Sequence, residues 1–206
     1  MSFIDTLAGE RAVAIIRARE QRTAADAMDA AVRAGFRIVE FTMNTPGALE
    51  LVAEFARRDG VVAGAGTVMR VEDAEAAARH GARFLVSPVF DEAVAQAAAR
   101  LGLPLLPGCA TPTEMWRAHR AGAEVVKLFP APADGPGWVR ATLGPMPFLR
   151  IVPTQGVDAG NAAAWLASGC LAVASGIYLF PPSALAERAW DVVEERATAL
   201  LRAVRG

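Results

Sequence analysis

The chain has 206 residues, 53% of them hydrophobic, and a formal net charge of −1 at pH 7. This composition predicts one globular domain with a large core, and the lack of a basic segment argues against nucleic acid as a partner. No apolar stretch is long and uncharged enough to cross a membrane, and the N-terminus lacks the basic and apolar regions of a signal peptide.

The predicted elements begin with a short helix at residues 3–9, which we expect to cover the floor of the fold. Strands are predicted where apolar or β-branched residues cluster, at 12–16, 37–41, 61–65, 83–86, 103–106, 124–129, 149–152 and 171–174. Between them, alanine-rich segments with helical periodicity predict helices, among them 24–34, 48–58, 71–79, 92–100 and 113–121. A last helix is predicted to follow residues 181–183 and to run to about residue 202. Glycines end several of these helices and favour left-handed C-caps, at Gly35, Gly81, Gly102 and Gly122.

This alternation of strands and helices predicts an α/β fold with a parallel sheet that is buried on both faces. Eight repeats that close on themselves predict a (β/α)8 TIM barrel, in one domain spanning residues 1–206 with a short N-terminal helix. An open doubly wound sheet is the alternative. Its main signal, a Gly-x-Gly-x-x-Gly motif after the first strand, does not occur in the sequence.

Lys127 is the only lysine of the chain, although arginine occurs 20 times. It lies within an apolar run, and burial of an amine lowers its pKa towards neutrality. A guanidinium cannot lose its proton near neutral pH, so an arginine cannot act as a nucleophile. The pattern therefore favours a neutral amine that forms a Schiff base with a carbonyl substrate. The alternative is chance, in which the stem of the lysine is buried and its amine reaches solvent.

Polar residues at the ends of the predicted strands indicate a candidate pocket, because barrel chemistry lies where strands end and βα loops begin. Arg17 follows the first strand, Glu40 lies near the end of the second, and Lys127 lies on the sixth. Side chains two residues apart share a face, so Ile38 accompanies Glu40 and Val125 accompanies Lys127. If those faces point inward, the three charged groups converge. The alternative is a structural ion network, although buried ion pairs seldom add net stability.

Six segments occur in order over about residues 10 to 180 and lie at the expected strand ends. They are Ile38-Val39-Glu40-Phe41-Thr42, Gly64-Ala65-Gly66-Thr67-Val68, Val86-Ser87-Pro88, Pro107-Gly108-Cys109-Ala110-Thr111-Pro112-Thr113-Glu114, Val126-Lys127-Leu128-Phe129-Pro130 and Val152-Pro153-Thr154. Together they resemble the 2-keto-3-deoxy-6-phosphogluconate / 4-hydroxy-2-oxoglutarate aldolases. The resemblance implies a class I pyruvate aldolase, an aldehyde-lyase that uses no metal and no other cofactor.

The resemblance also implies roles for individual residues. In that family the lysine matching Lys127 forms the Schiff base, and the glutamate matching Glu40 moves protons, usually through a water. The positions that it implies for binding the substrate or lining the pocket are Arg17, Thr67, Pro88, Phe129 and Thr154. Family members are typically homotrimers, so a homotrimer is expected here.

Two loops depart from the family's pattern. The family usually has two glycines after its Pro-Thr pair, whose amides cradle a phosphate, but this chain has Gln155 followed by Gly156. After the last strand the family usually has Gly-x-Gly-Ser, but this chain has Ser175, Gly176 and Ile177. An isoleucine side chain cannot donate a hydrogen bond, so both halves of the phosphate site look weakened.

A third departure is Asn44, which stands where phosphogluconate-type enzymes often have an arginine, and its surroundings are closer to the phosphogalactonate-type branch. Two hypotheses about the substrate follow. In one, the distal end carries no phosphate and Gln155 donates a hydrogen bond to it. In the other, the amides of Gly156 and Gly176 together with Ser175 still bind phosphate.

The function predicted first is cleavage of a 2-keto-3-deoxy (phospho)sugar acid or 4-hydroxy-2-oxoglutarate to pyruvate and an aldehyde. The alternatives are an aldolase specialised for a non-phosphorylated 2-keto acid, a sugar-phosphate epimerase or decarboxylase barrel that uses Lys127 as a cation, and a non-catalytic binding barrel. Cys109 and Cys170 show no paired spacing, which predicts free thiols in a reducing cytoplasm. The two histidines are too far apart in the sequence to predict a metal site by local spacing.

Overall fold

Helices and parallel strands alternate along the chain. The structure is a computed structural model that describes residues 2–206. Within this range the strands are β1 (Ala12–Ile16), β2 (Ile38–Thr42), β3 (Val62–Gly66), β4 (Leu85–Val86), β5 (Leu105–Leu106), β6 (Gly108–Cys109), β7 (Val126–Leu128), β8 (Ile151–Pro153) and β9 (Val173–Ser175). The helices are α1 (Phe3–Glu10), α2 (Gln21–Arg33), α3 (Ala48–Phe55), α4 (Val71–Arg79), α5 (Glu92–Arg100), α6 (Pro112–Arg120), α7 (Pro136–Leu143), α8 (Ala162–Ala167), α9 (Pro182–Glu187) and α10 (Trp190–Arg205). None of these helices combines the length and the apolarity that crossing a membrane requires.

Every predicted strand overlaps an observed one, but most observed strands are shorter than predicted and begin later. The chain forms a second short strand, β6, immediately after β5, and Pro107 separates the two. The predicted last helix is in fact two helices. They are separated where Arg188 adopts a φ of 55°, a left-handed conformation that ends α9. Helical periodicity continues on both sides of this break, so the pattern did not reveal it.

All strand pairs are parallel. One sheet has the order β5-β4-β3-β2-β1-β9 and the other the order β6-β7-β8. A single parallel bridge between Thr154 and Ala174 connects the end of β8 with β9. The register places Glu40 opposite Ile15 of β1, and Lys127 opposite Gly108 of β6. The α/β class and the parallel pairing therefore agree with the sequence prediction.

The two faces of the strands carry different sets of core residues. Val39 and Phe41 of β2 belong to the large cluster that packs against the helices, whereas Ile38 belongs to a smaller cluster on the other face. Val126 of β7 likewise faces the helices, and Val125 belongs to the smaller cluster. We call the face with the smaller cluster the inner face. The rule that side chains two residues apart share a face thus placed Glu40 and Lys127 correctly, because Glu40 shares the inner face with Ile38 and Lys127 shares it with Val125.

Helix α1 covers the inner face at the end where the strands begin. Leu7 is fully buried in the inner cluster, and the ring of Phe3 stacks on that of Phe84 at a centroid distance of 4.7 Å. A capping box between Ser2 and Asp5 starts the helix. The N-terminal helix therefore lies at the opposite end of the strands from Arg17 and Glu40, as predicted.

The predicted glycine caps are also confirmed. Gly35, Gly81, Gly102 and Gly122 all have positive φ angles, between 67° and 113°. A residue with a side chain is strained in this conformation, so glycine allows each helix to end sharply before the next strand. These turns fix where the strands start.

Candidate active site

Lys127 lies in the middle of β7, with its side chain on the inner face. Its neighbours Val126 and Leu128 are buried against the helices, and only 9% of Lys127 is exposed. Burial lowers the pKa of its amine, the Glu40 carboxylate acts in the opposite direction, and Arg17 lowers the pKa further. The amine is therefore neutral over a wider pH range than that of a solvated lysine.

Glu40 lies on β2, also on the inner face, and is 2% exposed. Its Oε1 atom has no hydrogen-bond partner within residues 2–206. Burial raises the pKa of the carboxyl, and the charges of Lys127 and Arg17 oppose this effect only in part. A buried carboxyl whose pKa is raised and whose oxygen is unpartnered is suited to taking up and releasing a proton.

Gly66, at the end of β3, provides the space that the Glu40 carboxylate occupies. A Cβ atom at this position would lie 1.8 Å from Glu40 Oε1 and 2.6 Å from its Cδ. Since no real Cβ contact is that short, any other residue would displace the carboxylate. The requirement for glycine here comes from the site itself and not from backbone conformation.

Arg17 follows β1 and is held by Asn44. The Nε–H of Arg17 donates a hydrogen bond to Asn44 Oδ1 over 3.1 Å. Asn44 itself is not among the residues that line the cavity, although the sequence placed it with the substrate-binding residues. Asn44 contacts Arg17, which lines the cavity, and its role in substrate binding stays a prediction. None of the ion pairs in the described chain includes Arg17.

One cavity of about 770 Å³ brings the other predicted residues together. Its lining includes Lys127, Glu40 and Arg17. The remaining predicted residues in the lining are Thr67, Pro88, Phe129, Thr154, Gln155, Gly156, Ser175 and Gly176. The Nζ atom of Lys127 lies 5.0 Å from the centroid of the Phe129 ring. The convergence predicted from strand ends is therefore observed.

Two lining residues have an unusual backbone. Thr67 has a φ of 59° and Gln155 a φ of 78°, in the left-handed region that favours glycine. A β-branched residue is rare there, and such strain concentrates at functional sites. Gln155 thus has a backbone conformation that favours glycine, and it is exposed.

Two hydroxyls in the cavity differ in their availability. Thr154 Oγ1 is buried and has no hydrogen-bond partner in the described part of the chain. Ser175 Oγ instead donates a hydrogen bond to the Val157 carbonyl over 2.8 Å. Thr154 can therefore donate to a bound molecule, whereas the hydroxyl proton of Ser175 is already engaged.

Several lining residues were not predicted, among them Asp158, Tyr178 and Arg196. Asp158 and Tyr178 lie in the loops that follow β8 and β9, where polar residues could have been added to the candidates. Arg196 lies on α10, far beyond any strand end. Its neighbours Val193, Ala197 and Leu200 are buried, so the local pattern describes only a helix face that packs on the core.

The histidines and cysteines take no part in this cavity. His80 Nδ1 lies 2.8 Å from the Ala76 carbonyl oxygen, and His119 packs against Phe148 at 4.7 Å. Burial raises the pKa of the Cys109 thiol to about 12. Nowhere in residues 2–206 do three His, Cys, Asp or Glu side chains group as metal ligands.

The arrangement combines a buried amine, a carboxyl with a raised pKa and a solvent-accessible arginine around one cavity. An amine of this kind forms imines with ketones, the carboxyl can exchange protons with the adduct, and the guanidinium can pair with an anionic group. These are the parts that imine-based carbon–carbon bond cleavage requires.

The family model described as KDPG and KHG aldolase matches residues 4–196 of the chain. The chain belongs to the KDPG and KHG aldolase family. Among curated members, it is 32% identical to the 2-dehydro-3-deoxy-6-phosphogalactonate aldolase of Escherichia coli (strain K12) over 196 residues, which cover 94% of both chains. The family resemblance seen in the six sequence segments is thus confirmed.

Solved structures of this aldolase family also match the fold. The native KDPGal structure superposes with a TM-score of 0.86 and 30% identity, and covers 94% of both chains. The KDPG aldolase of Legionella pneumophila, with pyruvate captured as a covalent carbinolamine intermediate, superposes with a TM-score of 0.87. It is 26% identical, and the match covers 96% of this chain and 97% of that one.

Proposed function

We propose that the chain is a class I pyruvate aldolase. It cleaves a 2-keto-3-deoxy (phospho)sugar acid or 4-hydroxy-2-oxoglutarate into pyruvate and an aldehyde. The observation that carries the proposal is the single lysine, which is buried, lines the same cavity as Glu40 and Arg17, and has a lowered amine pKa. Family membership supports the same reaction.

The reaction begins when the neutral amine of Lys127 attacks the C2 ketone of the substrate. Loss of water from the resulting carbinolamine gives an iminium ion. The iminium accepts the electron pair of the C3–C4 bond as that bond breaks, which leaves an enamine of pyruvate and releases the aldehyde. Protonation of C3 and hydrolysis of the imine then release pyruvate and restore the amine.

Glu40 is assigned to the proton transfers. The C4 hydroxyl must lose its proton for the bond to break, and the enamine must later gain one at C3. A single carboxyl can serve both steps, directly or through one water, provided that its pKa lies near the working pH. Burial raises the pKa of Glu40 from the ordinary range, which supports this role.

Arg17 is assigned to the substrate carboxylate. Its guanidinium has no carboxylate partner among the described ion pairs, and it lies close enough to shift the pKa of both Lys127 and Glu40. A bidentate pair with the C1 carboxylate would hold C2 near the amine. Thr67 and Thr154 add hydroxyls, and Pro88 and Phe129 supply apolar walls.

Borohydride reduction in the presence of pyruvate, followed by peptide mass mapping, tests the proposal. A reduced pyruvate adduct on Lys127, together with pyruvate release from the keto acids, is the expected result. A protein that cleaves none of the substrates and gives no adduct would instead point to an epimerase, a decarboxylase or a binding barrel. A Lys127→Met variant is the control, because it keeps the apolar stem and removes the amine.

The same proposal includes a closed (β/α)8 barrel that forms one domain over residues 1–206. The segment 105–109 supports closure, since β5 pairs with β4 and its continuation β6 pairs with β7. The Thr154–Ala174 bridge supports continuity between β8 and β9. A single cooperative transition in calorimetry is expected for one domain.

We also propose that the chain is a cytoplasmic homotrimer. The trimer rests on family resemblance, and the cytoplasmic location on the two free, buried cysteines, Cys109 and Cys170. The exposed aromatic residues Trp116 and Phe148, whose rings lie 5.8 Å apart, form a surface that a second copy would cover. Light scattering after size-exclusion chromatography should give three times the chain mass, and Trp116→Glu should lower it.

A further inference from the structure

A second arginine, Arg196, faces the cavity from α10, which lies outside the sheets. It is partly buried, and none of the ion pairs between residues 2 and 206 involves it. Elsewhere on the same helix, Glu194 pairs with Arg33. Arg196 is therefore a permanent positive charge that lines the cavity without a carboxylate of its own.

The guanidinium of Arg196 is held in place by Tyr178. Its Nη1 donates a hydrogen bond to the Tyr178 carbonyl oxygen over 2.8 Å, and its Cζ lies 5.4 Å from the centroid of the Tyr178 ring. A guanidinium has five N–H donors in a planar fork, so one anchoring bond leaves the others free. Such preorganisation reduces the entropy that is lost when an anion binds.

Arg196 and Arg17 reach the cavity from different elements, since Arg17 follows β1 whereas Arg196 lies on α10 and is anchored to Tyr178 in the loop after β9. The charges that shift the pKa of the Lys127 amine are those of Glu40 and Arg17, and the same holds for Glu40 with Lys127 and Arg17. A substrate whose C2 reaches Lys127 and whose C1 carboxylate pairs with Arg17 can extend its opposite end towards Arg196, because both arginines line the same cavity.

The two arginines that line the cavity offer separate partners for two anionic groups of one substrate. Arg17 and Arg196 are permanently positive. The charges of Lys127 and Glu40 sum to zero whether both groups are ionised or both are neutral. Asp158 is the other carboxylate in the lining, and its Oδ1 already accepts hydrogen bonds from the backbone N–H groups of Gly160 and Asn161. With Arg17 paired to the C1 carboxylate, Arg196 is the arginine of the lining that remains for a second anionic group.

The other groups near Tyr178 are weak anion ligands. The Ser175 hydroxyl proton is donated to the Val157 carbonyl, and Ile177, which is 77% exposed, has no polar side-chain atom. Backbone amides and the Gln155 side chain remain, and both are neutral donors. A charged donor binds phosphate or carboxylate about twice as strongly as a neutral one.

We propose that Arg196 determines substrate specificity by binding an anionic group, a phosphate or a carboxylate, at the end of the keto acid opposite its C1 carboxylate. This inference rests on the proposed aldolase function and extends it. A side chain from the C-terminal helix takes the place of the loop residues in which this chain differs from the family's phosphate site. It predicts that charged substrates are preferred over neutral ones of the same carbon skeleton.

The test measures kcat/KM for two substrate pairs that differ only in distal charge. One pair is a 2-keto-3-deoxy-6-phosphosugar acid and its unphosphorylated form, and the other is 4-hydroxy-2-oxoglutarate and 4-hydroxy-2-oxopentanoate. The variants are Arg196→Gln and Arg196→Lys, with Arg202→Gln, an exposed arginine on the same helix, as the matched control. Thermal unfolding of each variant monitors folding, and pyruvate trapping with borohydride monitors the amine.

We expect Arg196→Gln to lower kcat/KM for the charged member of a pair by about 10- to 100-fold, the loss of one charge-assisted contact, and to leave the neutral member near wild type. Arg196→Lys should restore part of the preference, and Arg202→Gln should change nothing. A loss on the phosphosugar acid identifies the distal group as a phosphate, and a loss on 4-hydroxy-2-oxoglutarate identifies it as a carboxylate.

Equal losses on charged and neutral substrates, or no loss on either, would overturn the inference, while pyruvate trapping would show that the aldolase function stands. If the wild-type protein traps no pyruvate and cleaves none of the four substrates, the aldolase function itself falls, and the inference falls with it.

Discussion

Substitution of Gly66 by alanine tests whether the position of the Glu40 carboxylate controls the reaction. The new Cβ would lie 1.8 Å from Glu40 Oε1 and 2.8 Å from its Cγ, so the side chain must move. To regain an ordinary contact of ~3.5 Å, the carboxylate oxygen must shift by about 1.5 Å or more. The Lys127 amine lies on another strand and is not touched by the change.

The magnitude follows from the size of this displacement. A shift of ~1 Å in a catalytic group can cost about 10²-fold in rate, and complete loss of general acid–base catalysis costs at most about 10⁴-fold. We therefore expect the kcat of Gly66→Ala to fall by about 10²-fold or more. Pyruvate trapping on Lys127 should persist, because imine formation depends chiefly on the amine.

Gly64, on the same strand, provides the matched control. A Cβ at Gly64 would have its three nearest atoms in the Phe84 ring, at 2.5 to 2.6 Å, and none of them belongs to Glu40. Gly64→Ala should therefore lower the free energy of unfolding by about 1–3 kcal/mol, a typical overpacking cost, while kcat stays close to wild type. A coupled assay for pyruvate and a thermal melt separate the two effects. A folded Gly66→Ala enzyme with wild-type kcat would refute the reasoning.

Three further predictions concern the reacting amine, its pH dependence and the buried thiol. Lys127→Arg should lower cleavage by at least about 10³-fold and abolish the borohydride adduct, because a guanidinium stays protonated, and an undiminished rate would contradict the mechanism. Because burial holds the pKa of the Lys127 amine below its ordinary value, pyruvate trapping should reach half its maximum at a lower pH than for a solvated lysine. Glu40→Gln should move this midpoint lower still, since the Glu40 charge raises the pKa of the amine, and an upward shift would show that the two groups do not interact as described. Burial raises the pKa of the Cys109 thiol to about 12, so iodoacetamide at pH ~8 should not label it in the folded protein, and Cys109→Ala should remain active.

The sequence determined the parts of the site that depend on local periodicity. Side chains alternate along a strand, so the apolar neighbours of Glu40 and Lys127 were enough to assign both residues to the inner face. The lone lysine and the ordered family segments then indicated the chemistry. Gly35 and the other helix-ending glycines fixed the chain's turns, because a positive φ favours glycine whatever surrounds it.

Only the tertiary structure decided how distant segments meet. It placed Asn44 beside Arg17 and outside the cavity lining, it packed Gly66 against the Glu40 carboxylate, and it brought Arg196 from the last helix to the cavity. None of these contacts leaves a periodic signal, since each depends on the relative position of two elements that are far apart in the chain. Local pattern specifies the direction of a side chain from its own backbone, whereas the group that it contacts is specified by the packing of the whole fold.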